Sequence, residues 1–131
     1  MRFVDSNVLL YSVSTNPAER PKRDKATAVL GARDLAVSVQ VLQEFYVQAT
    51  RGVLTHAEAV AMVTSFCRYP VQELTLDLLR AALMTRERYQ ITYWDAAIIE
   101  AARALGCDIV LSEDLNDGQD YGGVRVLNPF A

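Results

Sequence analysis

Histidine occurs once in this chain, as His56, and lysine only twice, as Lys22 and Lys25. A single imidazole excludes a two-histidine metal site and paired imidazole acid–base catalysis. Cysteine is nearly as scarce. Cys67 and Cys107 lie in apolar contexts without metal-ligand spacing, cannot make a disulfide framework and read as core fillers. Only 4 prolines and 6 glycines accompany 51% hydrophobic and 22% charged residues, which excludes disorder and low-complexity scaffolding. No uncharged apolar run approaches the ~18 residues of a membrane span, and Asp5 interrupts the N-terminal apolar stretch before a signal-peptide core can form. The expectation is a soluble, cytoplasmic protein with no membrane partner, whose chemistry must come from carboxylates.

What is present suits one globular domain over residues 1–131. Surface scaling gives a native monomer of this mass roughly 6,900 Å² of exposed surface out of about 21,000 Å² unfolded, so a real core is available. Short β-branched or alternating runs predict strands at Arg2–Asp5, Asp34–Val39, Val71–Thr75, Asp108–Ser112 and Val124–Leu127. Between them, helical spacing runs through Val8–Val13, Lys22–Ala32, a segment opened by Ser38, a segment from Thr55 to about Tyr69, and Leu76 to Tyr89. A last helix follows Thr92, with Trp94 on its inward stripe, and Gly106 ends it. The Asn16-Pro17 and Arg20-Pro21 pairs place a loop before the second helix. Leu76, Leu79, Leu83 and Met84 mark the apolar stripe of the penultimate one.

Strands separated by helices cannot form hairpins, so the alternation predicts a three-layer α/β/α sandwich around a mostly parallel sheet. Ligands of such sheets sit beyond the carboxyl ends of the strands, which directs attention to Asp5, Glu44, Asp95 and Asp114. Each has a plain structural use. Asp5 opens a turn, Glu44 solvates a helix, Asp95 completes the pattern Thr92-x-x-Asp95, and Asp114 lies among turn formers. Together they suggest more. A helical wheel sets Glu44 about 60° from Val41, at the border of the apolar arc. Two carboxylates ~4 Å apart repel by roughly 4 kcal/mol at an effective dielectric near 20, so a cluster of four must hold protons or a cation. Magnesium or manganese is the natural partner, because it prefers oxygen ligands and activates water against phosphate esters.

Four segments in order, Val4-Asp5-Ser6-Asn7-Val8-Leu9, Leu42-Gln43-Glu44-Phe45, Tyr93-Trp94-Asp95-Ala96-Ala97-Ile98 and Leu111-Ser112-Glu113-Asp114-Leu115, closed by Asn128-Pro129-Phe130, resemble PIN-domain proteins of the VapC toxin type. The resemblance implies a PIN-like fold and a magnesium-dependent ribonuclease whose metal site is Asp5, Glu44, Asp95 and Asp114, supported by Ser6 or Ser112. It implies that Asp95 or Asp114 orients or deprotonates the attacking water. It further implies an RNA substrate, a VapB-type antitoxin whose tail blocks the acidic edge, and a toxin homodimer. Asp117, in the turn sequence Asn116-Asp117-Gly118, is an ambiguous fifth acid.

The formal net charge of −3 does not argue against RNA, because the remainder turns slightly positive once the four candidate acids are set aside. Arg20, Lys22, Arg23 and Lys25 form the one dense basic run, which reads as a solvated helix face or a phosphate track. Three rival classes compete with this reading. A phosphorelay receiver needs a lysine late in the chain, and an aspartyl phosphatase wants an acid where Asn7 stands. A non-catalytic RNA-binding or regulatory module is separable from the nuclease only by assay.

Overall fold

A computed structural model describes every residue, Met1–Ala131. The chain runs β1 (Arg2–Val4), α1 (Ser6–Ser12), a short 3₁₀ turn (Pro17–Glu19), α2 (Arg20–Leu30), β2 (Leu35–Ser38), α3 (Val39–Ala49) and α4 (His56–Phe66). It continues through β3 (Val71–Gln72), α5 (Leu76–Tyr89), α6 (Tyr93–Ala104), β4 (Ile109–Leu111) and β5 (Arg125–Leu127). Side-chain oxygens of Ser38, Thr55, Thr75 and Thr92 each accept an amide of the first turn that follows them, and Thr55 with Glu58 forms a reciprocal capping box.

Among the boundaries that differ from the sequence expectation, two have clear local reasons. The first helix begins at Ser6 instead of Val8, because the Asp5 carboxylate accepts the Ser6 amide and caps it. Pro21 lies inside the first turn of α2 and not in a loop, since an amide there has no intrahelical acceptor to lose.

All five strands are parallel, in the order β3-β2-β1-β4-β5. Two successive crossovers carry the chain outward from β1 to β3, and the next returns it past β1 to β4. Right-handed crossovers then place α1 to α4 on one face and α5 with α6 on the other. Packing agrees: α1 lies on α2 and α3, α3 on α4, and α5 on α6, which itself crosses β2, β3 and β4. This is the α/β/α sandwich expected. Phe3, Leu35, Val37, Phe45, Phe66, Ile99 and Val110 fill the two interlayer cores, each at most 1% exposed. The accessible surface is 7161 Å², close to the value that chain mass alone suggests. No helix is long and apolar enough to cross a membrane.

Three packing expectations are corrected. Cys107 is buried, but Cys67 is exposed at the end of α4 and fills no core. Leu76, Leu79, Leu83 and Met84 face outward at 58%, 40%, 51% and 73% exposure, while Leu78 and Ala82 face inward. Trp94 is likewise 66% exposed. The small side chains of Ala82, Ala96 and Ala97 let α5 and α6 approach closely, and the bulky residues are left on the outer surface.

Candidate metal centre

β1 and β4 end side by side at Val4 and Leu111, where the strand order reverses. Chain segments leaving neighbouring strands in opposite directions open a crevice at such a point. Asp5 enters it directly from β1 and is 6% exposed. Its Oδ1 accepts the Ser6 amide at 2.7 Å, and its Oδ2 accepts the hydroxyl of Ser112, the first residue after β4, at 2.8 Å.

Asn7 joins the two strand ends. Its Nδ2 lies 3.1 Å from Ser112 Oγ, 3.2 Å from Asp114 Oδ2 and 3.4 Å from Asp5 Oδ2, while its Oδ1 accepts the Glu113 amide at 3.4 Å. Ser112 Oγ also accepts the Asp114 amide at 3.1 Å, so past the last backbone bond, from the Ser112 amide to the Leu127 carbonyl, the β4 turn is held by side chains.

Glu44 comes from the second turn of α3, accepting the Ser6 hydroxyl at 3.0 Å and the Gln40 amide at 2.9 Å. Gln40 Nε2 also reaches the Trp94 carbonyl at 3.3 Å, tying α3 to the first turn of α6. There Asp95 is half-buried, its backbone amide donating to the Thr92 cap at 3.1 Å.

The charges of these acids are coupled. Burial pushes the Asp5 carboxyl up to about 6 against the hydrogen bonds from Ser112 and Ser6, and the charges of Glu44 and Asp114 add to the rise. Burial also raises Asp95, partly offset by Thr92, with Asp114 and Glu44 again contributing. All four candidate acids thus meet along one edge, although no three of them close on a point as a finished cage. Asp117 is not among them. Its carboxylate accepts the Asn128 amide at 2.8 Å and pins the C-terminal segment, a structural role.

An oxygen-only donor set in which Asp5 and Asp95 are raised by burial and by nearby negative charge suits a hard divalent cation such as magnesium or manganese, and not a nitrogen- or sulfur-seeking metal. Asp5, Glu44, Asp95 and Asp114 would hold it. Sequence reading missed Asn7 and Gln40 as parts of this edge. Gln40 stands four residues before Glu44, a helical neighbour that spacing could have flagged. Asn7 carries no such signal, because its partners Ser112 and Asp114 lie more than a hundred positions away.

The model of the PIN domain family matches residues 2–116, from β1 through the Ser112–Asp114 turn. The chain belongs to the PIN-domain family. This PIN domain is similar in fold to the crystal structure of VapC20 from Mycobacterium tuberculosis, a toxin that cleaves the sarcin-ricin loop, with a TM-score of 0.71 at 20% identity over 87% of this chain and 92% of that one. A toxin–antitoxin complex from Klebsiella pneumoniae gives 0.73 at 17% identity, covering 98% of both chains. DNA-bound VapBC from Salmonella typhimurium gives 0.66 at 18% identity, covering 95% of both. No curated protein matches the chain in sequence. β5 and the Asn128–Phe130 end of this PIN domain lie beyond the span matched to the family.

Proposed function

We propose that this PIN domain is a metal-dependent ribonuclease, the toxin half of a cytoplasmic toxin–antitoxin pair that arrests growth by cutting RNA needed for translation. The observation that carries the reading is the approach of Asp5, Glu44, Asp95 and Asp114 at the β1/β4 switch point, where burial and the neighbouring negative charges raise the carboxyls of Asp5 and Asp95. Bound magnesium or manganese supplies charge neutralisation at a phosphate oxygen and a more acidic water. The chain's own residues supply the rest. Asn7, Ser6, Ser112 and Gln40 aim the carboxylates. One acid, Asp95 or Asp114, both less buried than Asp5, orients the attacking water and receives its proton in this reading. Arg20 and Arg23 line a polar hollow with Ser14, which also lines a hollow reaching Asn7, and this supports a path for RNA phosphates toward the acids.

Cleavage mapping on total RNA tests the reading. Cleavage is expected with Mg²⁺ or Mn²⁺, none with excess EDTA, and restoration on adding the cation back. Cleavage undiminished by EDTA overturns the metal role. The competing reading is an RNA-binding regulatory module without turnover, whose signature is metal-stimulated RNA binding with no new RNA ends.

Two partners belong to the proposal. Leu74 just before α5, Leu76, Leu79, Leu83 and Met84 on α5, and Trp94 at the start of α6 form an outward apolar surface, each at least 40% exposed, which suits a second copy of the chain. Leu83→Glu is expected to convert a dimer into a monomer in sedimentation velocity; a wild-type monomer at micromolar concentration removes the dimer. The hollow between α1 and α3, lined by Leu10, Tyr11, Val13, Ala49 and Val53 and touching Asn7, suits the apolar tail of an antitoxin. If the chain stays uncomplexed when coexpressed with the neighbouring small open reading frame, that partner is ruled out.

A further inference from the structure

Lys22 belongs to the basic run on α2, yet its ammonium does not face solvent alone. It donates to Glu113 Oε2 at 2.8 Å and to the Tyr11 hydroxyl at 3.2 Å, and it lies 4.9 Å from the centre of the Tyr11 ring and 5.9 Å from that of Phe130. The two rings meet edge to face at 4.9 Å. Tyr11 donates its own hydroxyl to Glu113 Oε1, so both oxygens of that carboxylate are held from outside the β4 turn. Burial works to raise the Glu113 carboxyl, and Lys22 and Tyr11 together outweigh it and keep it below its usual value.

Glu113 sits between Ser112 and Asp114 in a segment with no regular structure. Within that segment Ser112 is fixed by its hydrogen bonds to Asp5 and Asn7, and Asp114 is held by Asn7 and by Ser112. The backbone amide of Glu113 reaches Asn7 only at 3.4 Å. The strong anchors on the residue between the two are therefore Lys22 and Tyr11. We propose that Lys22 is a positioning residue for the metal centre: beside the Phe130 ring, it clamps Glu113 together with Tyr11 and so fixes the Ser112–Asp114 turn, and with it the placement of Asp114 and Asn7 around Asp5. The Asn128–Phe130 end thereby takes part, through Phe130, in shaping a site it does not touch. This inference rests on the metal-dependent reading above.

Two simpler roles for Lys22 make opposite predictions. As a bystander charge, its removal lowers positive potential near the acids and tightens cation binding. As a phosphate contact, its removal weakens RNA binding and leaves cation affinity unchanged. As a clamp, its removal loosens the ligand turn and weakens cation binding. Substitutions behind metal ligands typically lower affinity about 10- to 100-fold.

Mn²⁺ titration calorimetry on metal-free protein without RNA reads the difference directly. Lys22→Met and Glu113→Gln are each expected to bind Mn²⁺ about 10-fold more weakly than wild type, with the double variant no weaker than either single one. Lys22→Arg is expected to stay within about 3-fold of wild type, because the guanidinium keeps both the charge and the donors. Melting temperatures of the single variants are expected to stay within a few degrees, since an ion pair that keeps partial access to water, as this one does, contributes little to stability. In cleavage assays, the Mn²⁺ concentration for half-maximal rate rises by the same factor while the rate at saturating Mn²⁺ approaches wild type. Unchanged or tighter Mn²⁺ binding by Lys22→Met overturns the clamp while leaving the metal centre in place. A wild-type chain that binds no Mn²⁺ overturns the metal reading itself, and the clamp with it.

Discussion

Asp5→Asn is expected to raise the melting temperature of the metal-free chain at pH 7 and to slow RNA cleavage by two or more orders of magnitude. The two effects have one cause. In the unfolded chain the Asp5 carboxyl titrates near 3.8, whereas in the native chain burial and neighbouring acids lift it to about 6. Between those values the native state binds more protons than the unfolded state, so stability falls as pH rises. The favourable contribution is whole below about pH 4, is lost as pH climbs through 6, and stays lost at pH 7. About two pKa units correspond to roughly 3 kcal/mol. Asparagine removes the charge and can keep the oxygen that caps Ser6, but it turns an amide nitrogen toward the Asn7 nitrogen, which Asp5 now faces at 3.4 Å. A net gain of about 1–2 kcal/mol, a few degrees in melting temperature, is the expected balance. Cleavage falls because a carboxylate that repels its neighbours without a cation is the one that binds it best, and several kcal/mol of lost charge stabilisation is at least a hundredfold in rate. Asp95→Asn, at a half-buried position, should lose cleavage with a smaller gain in stability. Melting curves in EDTA at pH 4 to 8 check the first effect and single-turnover cleavage the second. A wild-type melting temperature that does not decline across that range contradicts the buried charge.

Local chemistry made much of the fold legible. Ser38, Thr55, Thr75 and Thr92 cap their helices through contacts within three residues, and the strands announce themselves as β-branched runs between helical stripes. The acids were visible for the same reason: strand ends, once located, say where a parallel sheet presents ligands. What remained hidden depends on distant partners. Apolar spacing on α5 revealed an apolar face at Leu76, Leu79 and Leu83 but not what covers it, and the alanines that draw α5 onto α6 carry too little hydrophobicity to mark the true inner face. Asn7 went without a role because that role arises only when β1 and β4 become neighbours, and Lys22 read as part of a solvated basic face or phosphate track because Glu113 lies ninety-one positions further on.

Asn7→Asp is expected to be the most damaging single change at this edge, and damaging in a way that depends on pH and on cation. The side chain is 8% exposed, and its amide is the donor shared by Ser112 Oγ, Asp114 Oδ2 and Asp5 Oδ2 at 3.1, 3.2 and 3.4 Å. Replacing the amide by a carboxylate exchanges donor for acceptor against two acids at once and adds a like charge in a place water scarcely reaches. An uncompensated buried charge costs about 3–5 kcal/mol, enough to lower the melting temperature of a domain this size by roughly 10 °C or more. Asn7→Ala loses the same hydrogen bonds without the charge, and is expected to cost about 1–3 kcal/mol at every pH. The pair separates the two effects. Below pH 5 one of the crowded carboxyls holds a proton and donates in place of the amide, so Asn7→Asp should recover toward the Asn7→Ala value. At pH 8 in EDTA it should fall well below. Millimolar Mn²⁺ should raise the melting temperature of Asn7→Asp more than that of Asn7→Ala, because only the former offers an added carboxylate for the cation to neutralise, and a ligand bound to the native state alone stabilises it in proportion to its affinity. Equal melting temperatures for the two variants across pH and Mn²⁺ would mean that Asn7 serves only as a hydrogen-bonding strut and that the surrounding acids carry no concentrated charge.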